Sequence, residues 1–463
     1  GSHSIRENNV WAFLRILPSH LRIVKDSRTA RGRCSASWAD DLDQVRTLLQ
    51  LCLDRHFISP GDTNAELFRR GLSCTYGPLG MELRRNLLGQ WWDSVTRSRA
   101  QVFGIDTLSN SSSSKDGETD VGGKLRIVQP QYLKQILQHL QQDLSKEQIV
   151  QELTTILQKS PAVRTNFLQG ALEQFIPSLE LVNRKLPFGL AETGLCFQPS
   201  DDSCCPTEMT QTSLVWFCSP RTSSQWLDHW TRQRLKWWRK FALSPSNFSS
   251  SDVPEEELTG LVSRSVKIIY DFPWGPEPLE TLCSRGDAEL LQTHKGARSK
   301  LQCRNGRKTV PHVVSVTGNM DRGLMAFLSN SLQLLKREDS KRKLQQRKVL
   351  KLHPVLAPVK VAIDIGKGAT IELRQVCEGL LQEFMEAKIS TWPGYLETMP
   401  VTMEQLNNKY DEMGVLFTLV ISDNTLESGL LQVRSRDTTV KETMHISEVK
   451  NFISRYITAA DKI

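Results

Sequence analysis

Past Pro354 the apolar residues come in short blocks separated by amphipathic helices, and this change of period limits that part of the chain to a mixed sheet with helices packed on it. Val359 to Ile365 reads as a buried strand, Thr370 caps a helix that runs through Lys388, and Ile389 to Trp392 begins the next strand. Val415 to Ile421, a turn near Ser428-Gly429, Leu430 to Arg434 and a capped helix from Ser447 to Tyr456 complete a separate, compact α/β domain. Gly366-Lys367-Gly368 sits between strand and helix but lacks the G-x-x-x-x-G-K-[ST] spacing of a phosphate loop, so it reads as a turn.

The 463 residues exceed what one hydrophobic core usually covers, and two or three domains are expected. Upstream, Leu42, Val45, Leu48, Leu49 and Leu53 place an amphipathic helix between Asp40 and His56. Asn110 to Gly123 holds too little apolar surface to order itself and reads as a surface loop. After Pro130 comes a helical hairpin. Leu133, Ile136, Leu137, Leu140 and Leu144 line its first face, and Ser145 with Gln148 forms a capping box ahead of Ile149, Leu153, Ile156 and Leu157. Such a hairpin either packs on its own domain or completes a four-helix bundle with a second copy across a twofold axis.

Charge is distributed unevenly. Lys and Arg exceed Asp and Glu by only 59 to 51, so location decides whether the chain binds polyanions. Gly1-Ser2-His3 reads as a tag remnant, and from there to about Trp38 seven Lys/Arg face Glu7 and Asp26, 7 minus 2 giving +5. This leader, expected to be flexible, is either the remnant of a mitochondrial transit segment or a disordered basic tail. Trp226, Trp230, Trp237, Trp238 and Phe241 share a helix with Arg232, Arg234, Lys236, Arg239 and Lys240. A base-stacking platform would use that pattern, but a buried aromatic stripe with a solvated basic face explains it more simply and is adopted. From Leu324 to Leu335 the apolar spacing is helical, and that helix is expected to run into Lys336, Arg337, Lys341, Arg342, Lys343, Arg347, Lys348 and Lys351. Against these eight stand Glu338 and Asp339, leaving +6, which suits either phosphate neutralisation or a solvated linker.

No stretch approaches the roughly 20 apolar residues of a membrane-spanning helix. The ten cysteines never take the C-x-x-C spacing of a zinc site and read as reduced thiols, with Cys204-Cys205 in a polar loop. His229, His294 and His312 have no ligand-spaced partners, and no acid–base pair or nucleophile triad is visible. Neither a metal nor a cofactor is expected.

Several stretches, in order, resemble the glycyl branch of the class II aminoacyl-tRNA synthetases. The segment starting at Leu67, with Tyr76-Gly77-Pro78-Leu79-Gly80 as its turn, is similar to the first family motif. LPFGLAETGLCF, residues 186–197, resembles the entry to the second, and PHVVSVTGNMDRGLMAFL, residues 311–328, the third. DFPWGPEPLETLCSRGD, residues 271–287, is similar to the tract that recognises the amino acid, and LHPVLAPVKVAIDI, residues 352–365, with DEMGVLFTLVISDNTLESGLLQVRSRDT, residues 411–438, resembles the anticodon-binding domain. The resemblance implies an α/β (α+β) fold: a class II synthetase-like antiparallel sheet domain with an inserted helical hairpin, followed by an anticodon-binding-like mixed α/β domain. The implied divisions are 1–38, leader; 39–128 with 184–335, synthetase-like core; 129–183, hairpin insertion for dimerisation; 336–353, basic linker; and 354–463, anticodon-binding-like domain.

The departures bear on function. Where the second motif keeps an arginine on the ATP α-phosphate, this chain has Gln198, followed by Pro199. A neutral amide lacks the required charge, and the loss of one such contact costs about 3 kcal/mol. Arg322 stands at the third motif's arginine but follows an altered Gly318-Asn319-Met320-Asp321 run, and near the retained Glu280 the tract carries Thr281 and Cys283-Ser284 instead of the usual residues. Gln198 and Arg322 thus mark a degenerate ATP site. With its inserted hairpin and basic leader, the chain resembles the accessory subunits of mitochondrial DNA polymerases. That likeness implies a non-catalytic processivity factor in the mitochondrial matrix and nucleoid: a homodimer that binds the polymerase catalytic subunit and double-stranded DNA, with no membrane partner. The expected DNA contacts are Arg304, Arg307, Lys308, Lys336, Arg337, Lys341, Arg342, Lys343, Arg347 and Lys348. The alternatives are an active glycyl-tRNA synthetase and a tRNA- or RNA-binding module derived from one.

Overall fold

The computed structural model describes residues 34–60, 75–111, 125–140, 145–199, 206–305, 307–338, 344–368, 370–399 and 401–462. The leader as far as residue 33, Cys204-Cys205, Leu144, Lys341, Arg342, Lys343 and most of the 110–123 tract lie outside the described residues.

The first helix, α1 (Cys34–Asp54), begins six residues earlier than its apolar stripe requires and buries Val45, Leu48, Leu49 and Cys52. Helix α2 (Pro78–Trp92) starts with proline at its first turn, where a missing N–H costs nothing, and buries Leu79, Leu83, Leu87 and Trp91 at intervals of four. Its start abuts residues 56–57. A Cβ on Gly77 would come within 2.2 Å of the His56 carbonyl oxygen, and one on Gly80 within 1.8 Å of that of Phe57. Close backbone approach explains both glycines of the Gly77-Pro78-Leu79-Gly80 turn.

After β1 (Val102–Gly104) the helical hairpin appears as α3 (Pro130–Leu140) and α4 (Lys146–Lys159), with the Ser145–Gln148 capping box in place. The central sheet follows: β2 (Phe188–Gln198), β3 (Thr207–Cys218), the aromatic helix α5 (Ser223–Lys240), β4 (Phe248–Asp252), β5 (Arg264–Phe272) and β6 (Gly275–Gly286). Next come a small hairpin, β7 (Cys303–Asn305) with β8 (Arg307–Thr309), then β9 (His312–Asn319) and helix α6 (Met320–Ser331). Seven of these strands form one sheet in the order β1-β2-β3-β9-β6-β5-β4, antiparallel except where β1 meets β2. Alternation along β3 gives the sheet two different faces. Leu214, Trp216 and Cys218 enter the main core beneath α2, α5 and α6, whereas Val215 and Phe217 enter a second core with Phe188, Leu190 and two short helices, Leu168–Glu173 and Phe175–Leu181.

Helix α5 settles the question of its aromatic stripe. Trp230, Trp237 and Trp238 are buried, and the stripe packs ring on ring: Trp226 and Trp230 lie 4.8 and 5.4 Å from Trp216, and Trp238 lies 5.5 Å from Phe327. It is core. In its midst lies Arg234, whose guanidinium makes bonds of 2.7 to 3.1 Å to the Glu280 carboxylate on β6 and another of 3.0 Å to Ser94 Oγ. The two side chains are 2% and 0% exposed, and the Trp237 ring lies 4.4 Å below the guanidinium.

The helix expected to continue into the basic run ends at Ser331. The chain instead folds back as β10 (Leu332–Glu338) against β11 (Leu344–Leu350). Asn330 is used for tertiary contact: its side-chain oxygen accepts from the backbone N–H groups of Leu243 and Ser244. Beyond it Leu332 and Leu334 alternate with Gln333, a period-two pattern that the helical spacing upstream had masked. The second domain comprises β12 (Val361–Ile365), α7 (Thr370–Glu386), β13 (Thr391–Trp392), α8 (Met403–Met413), β14 (Phe417–Ile421), β15 (Leu430–Ser435), β16 (Lys441–His445) and α9 (Ile446–Lys462). Its sheet order is β13-β12-β14-β15-β16, with β12 parallel to both neighbours and the rest antiparallel.

One core runs continuously through both parts. At their junction the Lys360 amine donates to the carbonyls of Pro354, Val355 and Ala357, and Asn86 of α2 grips the carbonyls of Leu356 and Ala357. Asp411 of α8, fully buried, takes Arg434 in a two-pronged pair at 2.9 Å and Arg347 of β11 at 2.7 Å.

Replacing Arg234 by leucine strands a buried carboxylate, and the expected loss is about 3–5 kcal/mol in urea unfolding. The double variant Arg234→Leu/Glu280→Leu recovers most of it. An unchanged midpoint in the single variant would contradict this account of the pair.

Candidate functional site

On β2 the residues Phe188, Leu190, Glu192, Cys196 and Gln198 share the face of the second core, and toward the strand's end that face turns polar. Gln198 ends the strand opposite Thr207, and its side-chain amide donates to the Thr165 carbonyl at 2.9 Å. It ties β2 to the segment leading into it and brings no charge. Glu192, 2% exposed, accepts from the N–H and hydroxyl of Thr107 at 2.6 and 2.7 Å. Arg164 lies over the Phe167 ring at 4.3 Å, and its guanidinium donates to the carbonyls of Leu195 and Thr107.

Arg322 opens α6 beneath the Asn319 cap, and its guanidinium donates to the Pro278 carbonyl at 2.8 Å. Burial pulls its pKa below the usual arginine range, with the nearby Glu277 acting in the opposite sense. Register places Gln198 four residues farther along β2 than Gly194, the residue that aligns through Gln211 with Asn319. Each of the two is tied to a backbone carbonyl of its own surroundings. Glu280 points to the other face of the sheet, beside Leu282 and opposite Gly318 and Val316, where Arg234 neutralises it.

One junction was not anticipated from the sequence. Asp321, 4% exposed, accepts from the Tyr76 hydroxyl at 2.5 Å and from the Thr210 N–H at 2.6 Å, while the Thr210 hydroxyl takes Arg84. Burial raises the Asp321 pKa, against those hydrogen bonds. Tyr76 and Asp321 each lie in a stretch similar to a family motif, but nothing in their spacing joins residues 245 positions apart.

The basic residues fall on two hairpins. Arg304 and Lys308 are direct cross-strand neighbours on β7 and β8, both exposed, and Arg307 pairs with Asn305 in the same ladder. Lys336 on β10 is exposed, Arg337 pairs in register with Gln345, and Lys348 is half-buried opposite Leu334. Arg347, expected among the DNA contacts, pairs with the buried Asp411, and its side chain stays 16% exposed. Lys341, Arg342 and Lys343 lie outside the described residues. On the helical hairpin, α4 has no buried residue, and Tyr132, Leu133, Val150 and Leu153 are exposed.

The second domain holds a cavity of about 320 Å³ lined by Trp392, Pro393, Gly394, Leu396, Glu397, Lys409 and Tyr410. Behind it the Tyr410 hydroxyl donates to Asp364 at 2.9 Å, and a Cβ on Gly394 would fall 2.1 Å from both groups. Burial pushes the Asp364 carboxyl up to about 6. Among the described residues, no group of three or more His, Cys, Asp or Glu could hold a metal, and no helix is long and apolar enough to cross a membrane. Burial drives the thiols of Cys196 and Cys218 up to about 12, which leaves them unreactive.

A family model described as the anticodon binding domain matches residues 360–456. DNA polymerase subunit gamma-2 of Mus musculus is 50% identical over 426 residues, covering 90% of this chain and 91% of that protein. The mitochondrial DNA polymerase subunit gamma-2 of Xenopus laevis is 48% identical over 432 residues, covering 90% and 88%. Glycine-tRNA ligase of Corynebacterium glutamicum is 24% identical over 473 residues, covering 89% and 98%. The mixed α/β architecture, with its antiparallel sheet and anticodon-binding domain, is that of a class II synthetase-like protein.

Because the fold holds the Asp364 carboxyl above the ordinary aspartate value of about 3.9, the resulting stabilisation is complete below about pH 4 and is lost as pH rises through about 6. Unfolding midpoints measured across that range should show the decline, and Asp364→Asn should flatten it. An equal slope in both proteins would remove Asp364 as its source.

Proposed function

The chain belongs to the DNA polymerase subunit gamma-2 family, and on that premise we propose that it is the non-catalytic accessory subunit of a mitochondrial DNA polymerase, acting by binding alone. The observation that carries this reading is the condition of the synthetase-like site. Position 198 supplies an amide, Arg322 is bonded to the Pro278 carbonyl, and Glu280 is neutralised by Arg234. An amide at 198 carries no charge to set against a nucleotide's phosphate, and the carboxylate of Glu280 is already answered by a cation of the chain itself.

The partners follow from three surfaces. The α3–α4 hairpin, with its exposed Tyr132, Leu133, Val150 and Leu153, is the dimerisation element, two copies completing a four-helix bundle. The basic residues on the two hairpins take duplex phosphates, without sequence preference and with steep salt dependence. The anticodon-binding-like domain, from residue 354 onward, docks the catalytic subunit, since its ancestral face is free once aminoacylation is lost. Linked contacts to polymerase and template lengthen residence on the DNA. The protein works in the mitochondrial matrix, at the nucleoid. The divisions 39–128 with 184–335, 129–183 and 354–463 serve as core, dimerisation insert and docking domain. The 336–353 segment carries part of the DNA-binding charge.

Two measurements test the reading. Glycine-dependent ATP–pyrophosphate exchange should be absent, and adding the protein to its polymerase catalytic subunit should lengthen the product made per binding event. Measurable exchange would return the chain to the synthetases, and product length unaffected by the protein would remove the accessory role. In sedimentation, Val150→Asp/Leu153→Asp should convert dimers to monomers without altering the unfolding midpoint. A dimer surviving both substitutions would move the interface elsewhere.

A further inference from the structure

Between Lys295 and Val310 the chain carries Lys295, Arg298, Lys300, Arg304, Arg307 and Lys308 and not one carboxylate. The structure shows why this arm differs from an ordinary basic loop. Leu301 and Cys303 are fully buried in the second core, so the arm is pinned from beneath while Arg298, Lys300, Arg304 and Lys308 stand exposed. Arg184, in a left-handed conformation at φ 61°, clamps it from the side. Its guanidinium donates to the carbonyls of Lys300 at 2.6 Å and Gln302 at 2.9 Å, and its own carbonyl accepts from the Arg304 N–H at 2.8 Å. That clamp sets the exposed Lys185 next to Arg304 in the same patch.

Two acids of the flanking helices are already engaged: Glu180 is paired with Arg184 at 2.6 Å and Glu289 with Arg285 at 3.1 Å. Among the described residues, Lys185, Arg298, Lys300, Arg304 and Lys308 have no carboxylate partner. Uncompensated cations on a backbone anchored from beneath and from one side form a more fixed field than a flexible run, because less backbone ordering entropy is lost on binding. The 332–350 hairpin is weaker on each count, since Arg347 is bound to Asp411 and Lys348 is half-buried.

We propose that this clamped arm, Lys185 with Arg298, Lys300, Arg304 and Lys308, is the principal phosphate-binding surface for duplex DNA, with Arg184 as its positioning residue. The inference deepens the DNA-binding part of the proposed function and rests on it. Lys185, Arg298 and Lys300 enter as contacts that sequence reasoning passed over, because only the fold shows Leu301 and Arg184 holding this stretch beside Arg304.

Salt-dependent binding of the full chain to a labelled duplex tests this. Lys300→Ala/Arg304→Ala/Lys308→Ala should lower the slope of log affinity against log salt by about 3, one per lost phosphate contact. Lys336→Ala/Lys348→Ala should change it less. Arg184→Lys keeps the charge but loses the planar fork, so affinity should fall several-fold with the slope unchanged. A triple variant with the parental slope, beside a parent that binds duplex, would overturn the arm while leaving DNA binding intact. Parental affinity in Arg184→Lys would overturn the positioning role. A parent that does not bind duplex at all would overturn the DNA-binding reading itself, and the arm with it.

Discussion

A guanidinium and a carboxylate buried together at the centre of the first domain set the terms for what surrounds them. Arg234 and Glu280 join helix α5 to strand β6, and through Ser94 they reach the turn that follows α2. Taking two charges out of water costs several kcal/mol per ion, so the pair is tolerated only because each group is met by hydrogen bonds and by the Trp237 face. The geometry leaves little freedom. The three elements must meet in one arrangement, and the aromatic rings of α5 pack in the register this imposes. The same pair consumes a carboxylate in the tract similar to the synthetases' amino-acid recognition segment, so what holds the fold also closes off an ancestral chemistry.

Periodicity made much of the architecture legible. In the second domain β12, α7, β13, β14 and β15 fall within two residues of their expected positions, whereas α8 and β16 were not foreseen and α9 runs on to Lys462; the Ser145–Gln148 capping box forms as written, and the tryptophans of α5 are core. The basic run was misread at one point, where the apolar spacing of Leu324 to Leu335 fits a helix but the last of those residues belong to a strand. Local pattern could not decide, because the helix end depends on Asn330 capturing the backbone of residues 243 and 244. The limits at the site have the same origin. Gln198 stood out as a missing charge, but its bond to Thr165, the seat of Arg322 on Pro278 and the Tyr76–Asp321 junction are made between distant segments. Arg347 looked like one cation among eight until the sheet set it against Asp411.

The hydrogen bonds among Tyr76, Arg84, Thr210 and Asp321 fasten the first and third motif-like segments to each other and to β3 using the chain's own groups. Removing the demand for catalysis frees the outer surfaces instead, and a scaffold of this size offers several at fixed separation. That suits the proposed accessory role, in which polymerase, duplex and a second copy would each take a different surface.

Asp411 has a mechanical meaning beyond its place in the core. A single carboxylate answers to Arg434 in the sheet of the second domain and to Arg347 in the basic hairpin, and with both guanidiniums in place neither can swing away without leaving an imbalance in a dry interior. The hairpin is therefore geared to the domain behind it. Displacing either one alone would leave a guanidinium or the carboxylate uncompensated, so the two are held as a single body.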